Sequence, residues 1–144
     1  MELAIGEYDF KYKDAGGQRQ VFDIVRKKYV QFGPEEMVRQ HLIHFLVEDK
    51  GISPSLISVE KELKVNELSK RTDIVLYDNE GKPYMIIECK AHNVKLDQTA
   101  FEQAARYNLS LKVPYLLISN GWEHYACSID HETGSWKALE TLPF

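Results

Sequence analysis

Two apolar runs in the middle of the chain constrain its fold more than any other feature. Residues 72–77 are rich in β-formers (Ile74, Val75, Leu76, Tyr77), and residues 84–89 are almost continuously apolar. Between them, Asp78-Asn79-Glu80-Gly81-Lys82-Pro83 reads as a turn in which Gly81 supplies a positive φ. The pair predicts an antiparallel hairpin. Residues 96–112 then carry Phe101, Ala104, Ala105 and Leu109 at partly amphipathic helical spacing, Pro114 marks the end, and residues 115–119 are another apolar strand. Strand, helix and strand make a crossover, so strands 84–89 and 115–119 are expected to lie parallel in one sheet.

The flanks extend this unit. Gly33-Pro34 punctuates the chain, Pro34 suits a first helical position, and Glu35 and Glu36 place negative charge in the first turn. Met37, Val38, Leu42, Phe45 and Leu46 continue at helical spacing, predicting a helix over 34–50 ended by Gly51. Residues 56–63 alternate as a strand, residues 124–129 pair back after Asn120-Gly121, and residues 136–139 add an edge strand. Within residues 1–33, Asp14-Ala15-Gly16-Gly17 is a turn, and residues 20–25 suit a short strand or a turn of helix. The expected fold class is α/β: a mixed central β-sheet flanked by helices, in the order α-β-β-β-α-β-β. At 144 residues the chain is most simply one domain. Its parts are an N-terminal extension (1–33), a core (34–129) and a C-terminal edge (130–144).

Composition narrows the function classes. No G-x-x-x-x-G-K-[ST] run is present to bind nucleotide phosphates. A net charge of −4 argues against coating nucleic acid by bulk charge, though it leaves room for a local basic groove. Two cysteines, Cys89 and Cys127, do not make a secreted disulfide framework. The first ten residues hold Glu2, Glu7 and Asp9, unlike a signal peptide, and no apolar run approaches a membrane span. A cytoplasmic protein without a membrane partner is expected.

The hairpin register carries chemistry. If Tyr77 faces Tyr84, Asp73 falls opposite Glu88 and Arg71 opposite Lys90. Asp73 and Glu88 then share one face with Cβ atoms roughly 5 Å apart, and Lys90, two residues on, projects from the same face. Opposed carboxylates repel, and a hard cation between them resolves the conflict; Mg²⁺ takes oxygen ligands of this kind. Lys90 adds a positive charge able to hold an attacking water or stabilise a pentacovalent phosphate.

Thr72-Asp73 followed by Glu88-Cys89-Lys90 resembles the D…E-x-K signature of the PD-(D/E)XK nuclease superfamily, with Thr72 where proline is usual. Glu36-Met37-Val38-Arg39-Gln40 looks like the acidic helix before that core. Gln103-Ala104-Ala105-Arg106-Tyr107 matches the Q-x-x-x-Y motif of its RecB-like branch. With Gly33-Pro34-Glu35, Lys70-Arg71, Phe101-Glu102 and Ser119-Asn120-Gly121 in order, residues 22–129 resemble the N-terminal nuclease domain of type I restriction enzyme R subunits. The resemblance implies a restriction-endonuclease-like α-β-β-β-α-β core and a Mg²⁺-dependent endonuclease (Mn²⁺ substituting) that hydrolyses DNA. Asp73, Glu88 and the Cys89 backbone carbonyl would ligate the metal, Lys90 would assist the water, Glu36 would support the site, and Gln103 and Tyr107 would position it. Arg39, Gln40, Arg71 and Arg106 are candidate phosphate contacts. In those R subunits a helicase motor follows. The expectation here is a stand-alone member or the cleavage module of a multi-chain system with motor, methylation or specificity subunits, and homodimerisation is open. The alternative is a non-cleaving nuclease-fold module for DNA binding or assembly. Cys89 and Cys127 read as small buried apolar residues, and His41 and His44, three apart, lack a third soft ligand for zinc.

Overall fold

The computed structural model describes residues 1–65 and 67–144, with the side chains of Val65 and Leu68 excluded. A three-stranded meander comes first: β1 (Tyr12–Ala15), β2 (Gln18–Asp23) and β3 (Lys28–Gln31), in the order β1-β2-β3. The expected turn at 14–17 is present, with Gly16 and Gly17 at positive φ. The first and third strands were not anticipated, because the four residues of each carry no run long enough to show a period. Helix α1 (Pro34–His44) follows. It passes into a π-helical stretch, Phe45–Asp49, and Gly51 (φ +68°) lets the chain turn away.

The main sheet has six strands: β4 (Ile57–Val65), β5 (Leu68–Tyr77), β6 (Pro83–Cys89), β7 (Tyr115–Ser119), β8 (His124–Asp130) and β9 (Ser135–Leu139). They lie in sequence order, with β6 and β7 parallel and the other neighbours antiparallel. Helix α2 (Gln98–Asn108) makes the β6-to-β7 crossover; Asp97 caps it by accepting the Ala100 N–H at 2.8 Å. The expected mixed sheet, hairpin, crossover and edge strand are all present.

Alternation along the strands builds two cores. Ile74, Leu76, Met85, Ile87, Cys89 and Leu117 face α1 with Val38, Leu42, Ile43 and Leu46. Val75, Ile86, Leu116, Ile118 and Cys127 face α2 with Phe101 and Ala105. Strands β6 and β7 are therefore apolar on both faces, which explains their near-continuous hydrophobic runs.

The β5–β6 register differs from expectation at one point. Ile74, Val75 and Leu76 oppose Ile87, Ile86 and Met85 as the hairpin predicts, but Tyr77 opposes Pro83 instead of Tyr84, with a shift between Leu76 and Tyr77. The turn causes the shift. Asp78 donates its N–H to the Lys82 carbonyl, Gly81 donates to Asp78, and Gly81 takes φ +80°, leaving a three-residue loop whose left-handed residue forces a bulge. No described helix is long and apolar enough to cross a membrane.

Candidate functional site

The sequence-predicted residues fall into two charged clusters, one on each face of the sheet. On the α1 face, Arg39 is the hub. Its side chain is 5% exposed, and it donates to Glu36 at 2.6 Å, Asp73 at 2.9 Å and Glu60 at 3.3 Å, with Glu35 at 3.8 Å. Arg26, from the turn between β2 and β3, is a second hub: it reaches Asp23 and Glu36 at 2.8 and 2.7 Å, and Glu60 at 3.5 Å. Gln40 donates to both Asp23 and Glu36, at 2.9 and 2.8 Å. Five carboxylates (Asp23, Glu35, Glu36, Glu60, Asp73) thus surround two guanidinium groups, and the surplus is negative.

The backbone positions these groups. On α1, Glu36, Arg39 and Gln40 are three and four apart, so they share one helical face. The described β5–β6 pairing ends at Ile74 and Ile87; just beyond it, the Asp73 carboxylate accepts the Cys89 N–H at 2.8 Å. Across the sheet, the β4–β5 pairing skips Glu60, which takes φ +54° between the paired Val59 and Lys61. A left-handed glutamate within a strand is strained, and here it delivers its carboxylate to Arg26 and Arg39.

On the α2 face, Glu88 pairs with Lys70, and Asn108 bridges the two, donating to Glu88 and accepting from Lys70 at 3.2 Å each. The Lys70 ammonium also lies 4.4 Å from the centre of the Tyr107 ring. Arg106 and Tyr107 border a cavity of about 290 Å³ with Ser69, Lys70 and Ser110. Gln103 is exposed at the helix surface.

The assumed register holds from Ile74 to Leu76, and beyond it each carboxylate has its own basic partner: Asp73 meets Arg39 of α1, and Glu88 meets Lys70 and Asn108. Lys90 is exposed after β6, its N–H bonded to the Ser119 carbonyl, and its charge is felt by Glu35 on the α1 side. Arg39 and Gln40, expected to touch phosphate, are buried and serve the acidic cluster instead. Arg71 and Arg106 remain exposed, Arg71 with Glu60 at 3.7 Å.

Electrostatics follow the geometry. Burial works against the Arg39 charge, but Glu36 and Asp73 outweigh it and raise its pKa. Glu35 is pushed up, first by burial and then by Asp73. Burial also opposes ionisation of Asp23, yet the Arg26 backbone and side chain, with Gln40, hold its pKa below the usual value. Burial drives Cys89 well above the ordinary thiol range and Cys127 to about 11, so neither is an activated nucleophile, in line with their expected core roles.

Fit to a divalent cation is a matter of donors and of geometry. The donors are hard oxygens, which suit Mg²⁺. Their arrangement does not close around one: Asp73 and Glu88 are each turned onto a basic side chain. Among the described residues no three His, Cys, Asp or Glu side chains converge as a metal cage.

Sequence reasoning missed Asp23, Arg26, Glu60, Lys70 and Asn108. Asn108 had a local signal, an amide on the buried stripe of α2 beside Phe101 and Ala105. Arg26 and Glu60 had none that tied them to α1, since Arg26 lies 10 positions from Glu36 and 34 from Glu60.

No curated protein sequence matches the chain. Among solved structures, it is similar to a fragment of a protein assigned as an HsdR subunit of a type I restriction enzyme from Vibrio vulnificus YJ016. That likeness has 23% identity and a TM-score of 0.39, over 60% of this chain. The chain spans 18% of that protein's length. A family model described as the type I restriction enzyme R protein N terminus matches residues 34–143, from the first residue of α1 through all six strands of the main sheet. On that match the chain belongs to the family of type I restriction enzyme R protein N termini.

Proposed function

We propose that the chain is a Mg²⁺-dependent endonuclease module, of the PD-(D/E)XK kind, that hydrolyses DNA phosphodiester bonds within a type I restriction system. Family membership over residues 34–143 carries this reading. The acidic cluster where α1 meets β5 adds chemical support, because a surplus of carboxylate attracts a hard cation. In this reading Asp73, Glu88 and the Cys89 carbonyl are the metal ligands, Mn²⁺ substitutes for Mg²⁺, and a cation must compete with Arg39 and Lys70 for both carboxylates. Lys90 serves the water or the transition state, Glu36 supports the acidic cluster, and Gln103 and Tyr107 position the substrate side. Arg71 and Arg106 are the exposed phosphate contacts. Motor, methylation and specificity subunits are the proposed partners, beside a second copy of this chain, and the compartment is the cytoplasm.

The test is nicking of supercoiled plasmid with Mg²⁺ or Mn²⁺. Asp73→Ala and Lys90→Ala should each abolish it while leaving the circular dichroism spectrum unchanged; activity that survives both would sink the assignment. One observation favours a second reading, a non-cleaving module. Asp73 and Glu88 each already have a basic partner, Arg39 and Lys70. Calorimetry separates the two: no heat of Mg²⁺ binding, with DNA or subunit binding retained, selects the module that does not cut.

A further inference from the structure

The β7–β8 turn presents an aromatic residue that neither core nor cluster uses. Trp122 is 78% exposed, more than any other large hydrophobic side chain among the described residues. It is nevertheless held firmly. Asn120, itself buried, accepts the N–H groups of Trp122 and Glu123 at 2.9 and 2.7 Å and donates to the Val94 carbonyl at 2.7 Å. Gly121 donates to the Ser119 hydroxyl at 3.0 Å and takes φ +93° against α1, where a Cβ would lie 3.5 Å from Val38. The backbone that carries the indole is therefore fixed before any ligand arrives.

The indole borders a groove of about 460 Å³ walled by Met37, Val38, His41, His92 and Gly121, with Ile5 and the acidic Glu7 of the N-terminal segment also in its lining. This groove adjoins the acidic cluster. Met37 and Val38 lie between Glu36 and Arg39 on α1, and His92 follows Lys90 by two residues. His41 uses Nδ1 to donate to the Met37 carbonyl at 2.8 Å, so Nε2 of the neutral ring is an acceptor. His92, which lines the groove, belongs to the loop after β6, whose Lys90, His92 and Lys95 are exposed with no acid between them. Among the described residues neither Lys90 nor Lys95 enters an ion pair.

We infer that this groove binds an unpaired DNA base, stacked on Trp122, with its flanking phosphates on Lys90 and Lys95. The chemistry fits each part. An exposed indole on a fixed backbone is a stacking platform for any base, the His41 acceptor meets an exocyclic amine or ring N–H, and the lysines of the loop that carries His92 take the sugar-phosphate chain. The inference extends the nuclease reading by assigning it a strand with unpaired bases beside the cluster, and it rests on DNA being the ligand.

The experiment is run in EDTA, so it needs no cleavage. In Trp136→Phe, Trp122 becomes the sole tryptophan, and its emission should be quenched by a single-stranded oligothymidylate but not by an abasic strand of equal length. Trp122→Ala should weaken oligothymidylate binding by roughly ten- to a hundredfold and leave abasic-strand binding unchanged. Trp122→Phe, which keeps an aromatic face, should recover part of the loss. Equal binding of oligothymidylate by wild type and Trp122→Ala, or no quenching at all, overturns the inference. Failure of the nuclease reading appears separately, in the plasmid assay with Asp73→Ala.

Discussion

At the scale of single residues, Arg39 does more than any other side chain. It is a buried cation ringed by Glu35, Glu36, Glu60 and Asp73, and without it those acids repel one another. Arg39→Ala is therefore expected to lower stability by about 3–5 kcal/mol in urea denaturation, the range for breaking a buried ion pair from one side. Arg39→Lys should recover only part of this, because a single ammonium does not span four carboxylates as a planar guanidinium does. Gly121 is the other sensitive position. Its φ of +93° is unfavourable for an L side chain, so Gly121→Ala is expected to cost about 1 kcal/mol in the same measurement. None of this is visible from residue type alone. Arg39 reads in the sequence as a surface arginine able to meet phosphate, and only its burial reverses that reading.

At the scale of elements, the hairpin and the crossover were legible because local periodicity encodes them. Ile74, Ile87 and Leu117 share one face by alternation, and Val75, Ile86 and Leu116 share the other. Ile87→Ala should lower the denaturation free energy by about 2–5 kcal/mol, since the residue is fully buried and the surrounding core does not collapse to fill the space. The β2–β3 turn makes a pH prediction. Asp23 has a depressed pKa in the folded chain, so its contribution is present above the unfolded carboxylate value of about 3.9 and is lost as pH falls through the lower folded value. The denaturation midpoint should fall below about pH 4, and Asp23→Asn should flatten that part of the profile while lowering stability at neutral pH. The one error of register, at Tyr77, came from assuming a symmetric loop. The left-handed Gly81 makes a three-residue loop with a bulge instead.

At the scale of the whole molecule, the acidic cluster is completed from outside the matched family span. Residues 34–143 hold Glu35, Glu36, Arg39, Gln40, Glu60 and Asp73, but Asp23 and Arg26 come from the preceding meander. The N-terminal segment also covers apolar surface, with Met1, Leu3, Ile5 and Tyr8 packed on the α1-side core. Removing residues 1–33 should therefore lower the thermal midpoint by circular dichroism and leave Glu36 and Gln40 without their Asp23 and Arg26 partners. An unchanged midpoint would show that the meander is dispensable to the fold.

The sequence by itself determined the strands of the main sheet, the two helices, the parallel crossover and the two-faced core, because periods of 2 and 3.6 residues are written in neighbouring positions. It also determined the family, through motifs spread in order along the chain. Only the tertiary structure decided which charges meet. Arg39 reaches Asp73 across 34 residues and Lys70 pairs with Glu88 across 18, and a charge in a sequence states its sign but not its partner. The opposite destinations of Asp73 and Glu88 depend on which helix covers each face of the sheet, and that arises only when α1 and α2 pack.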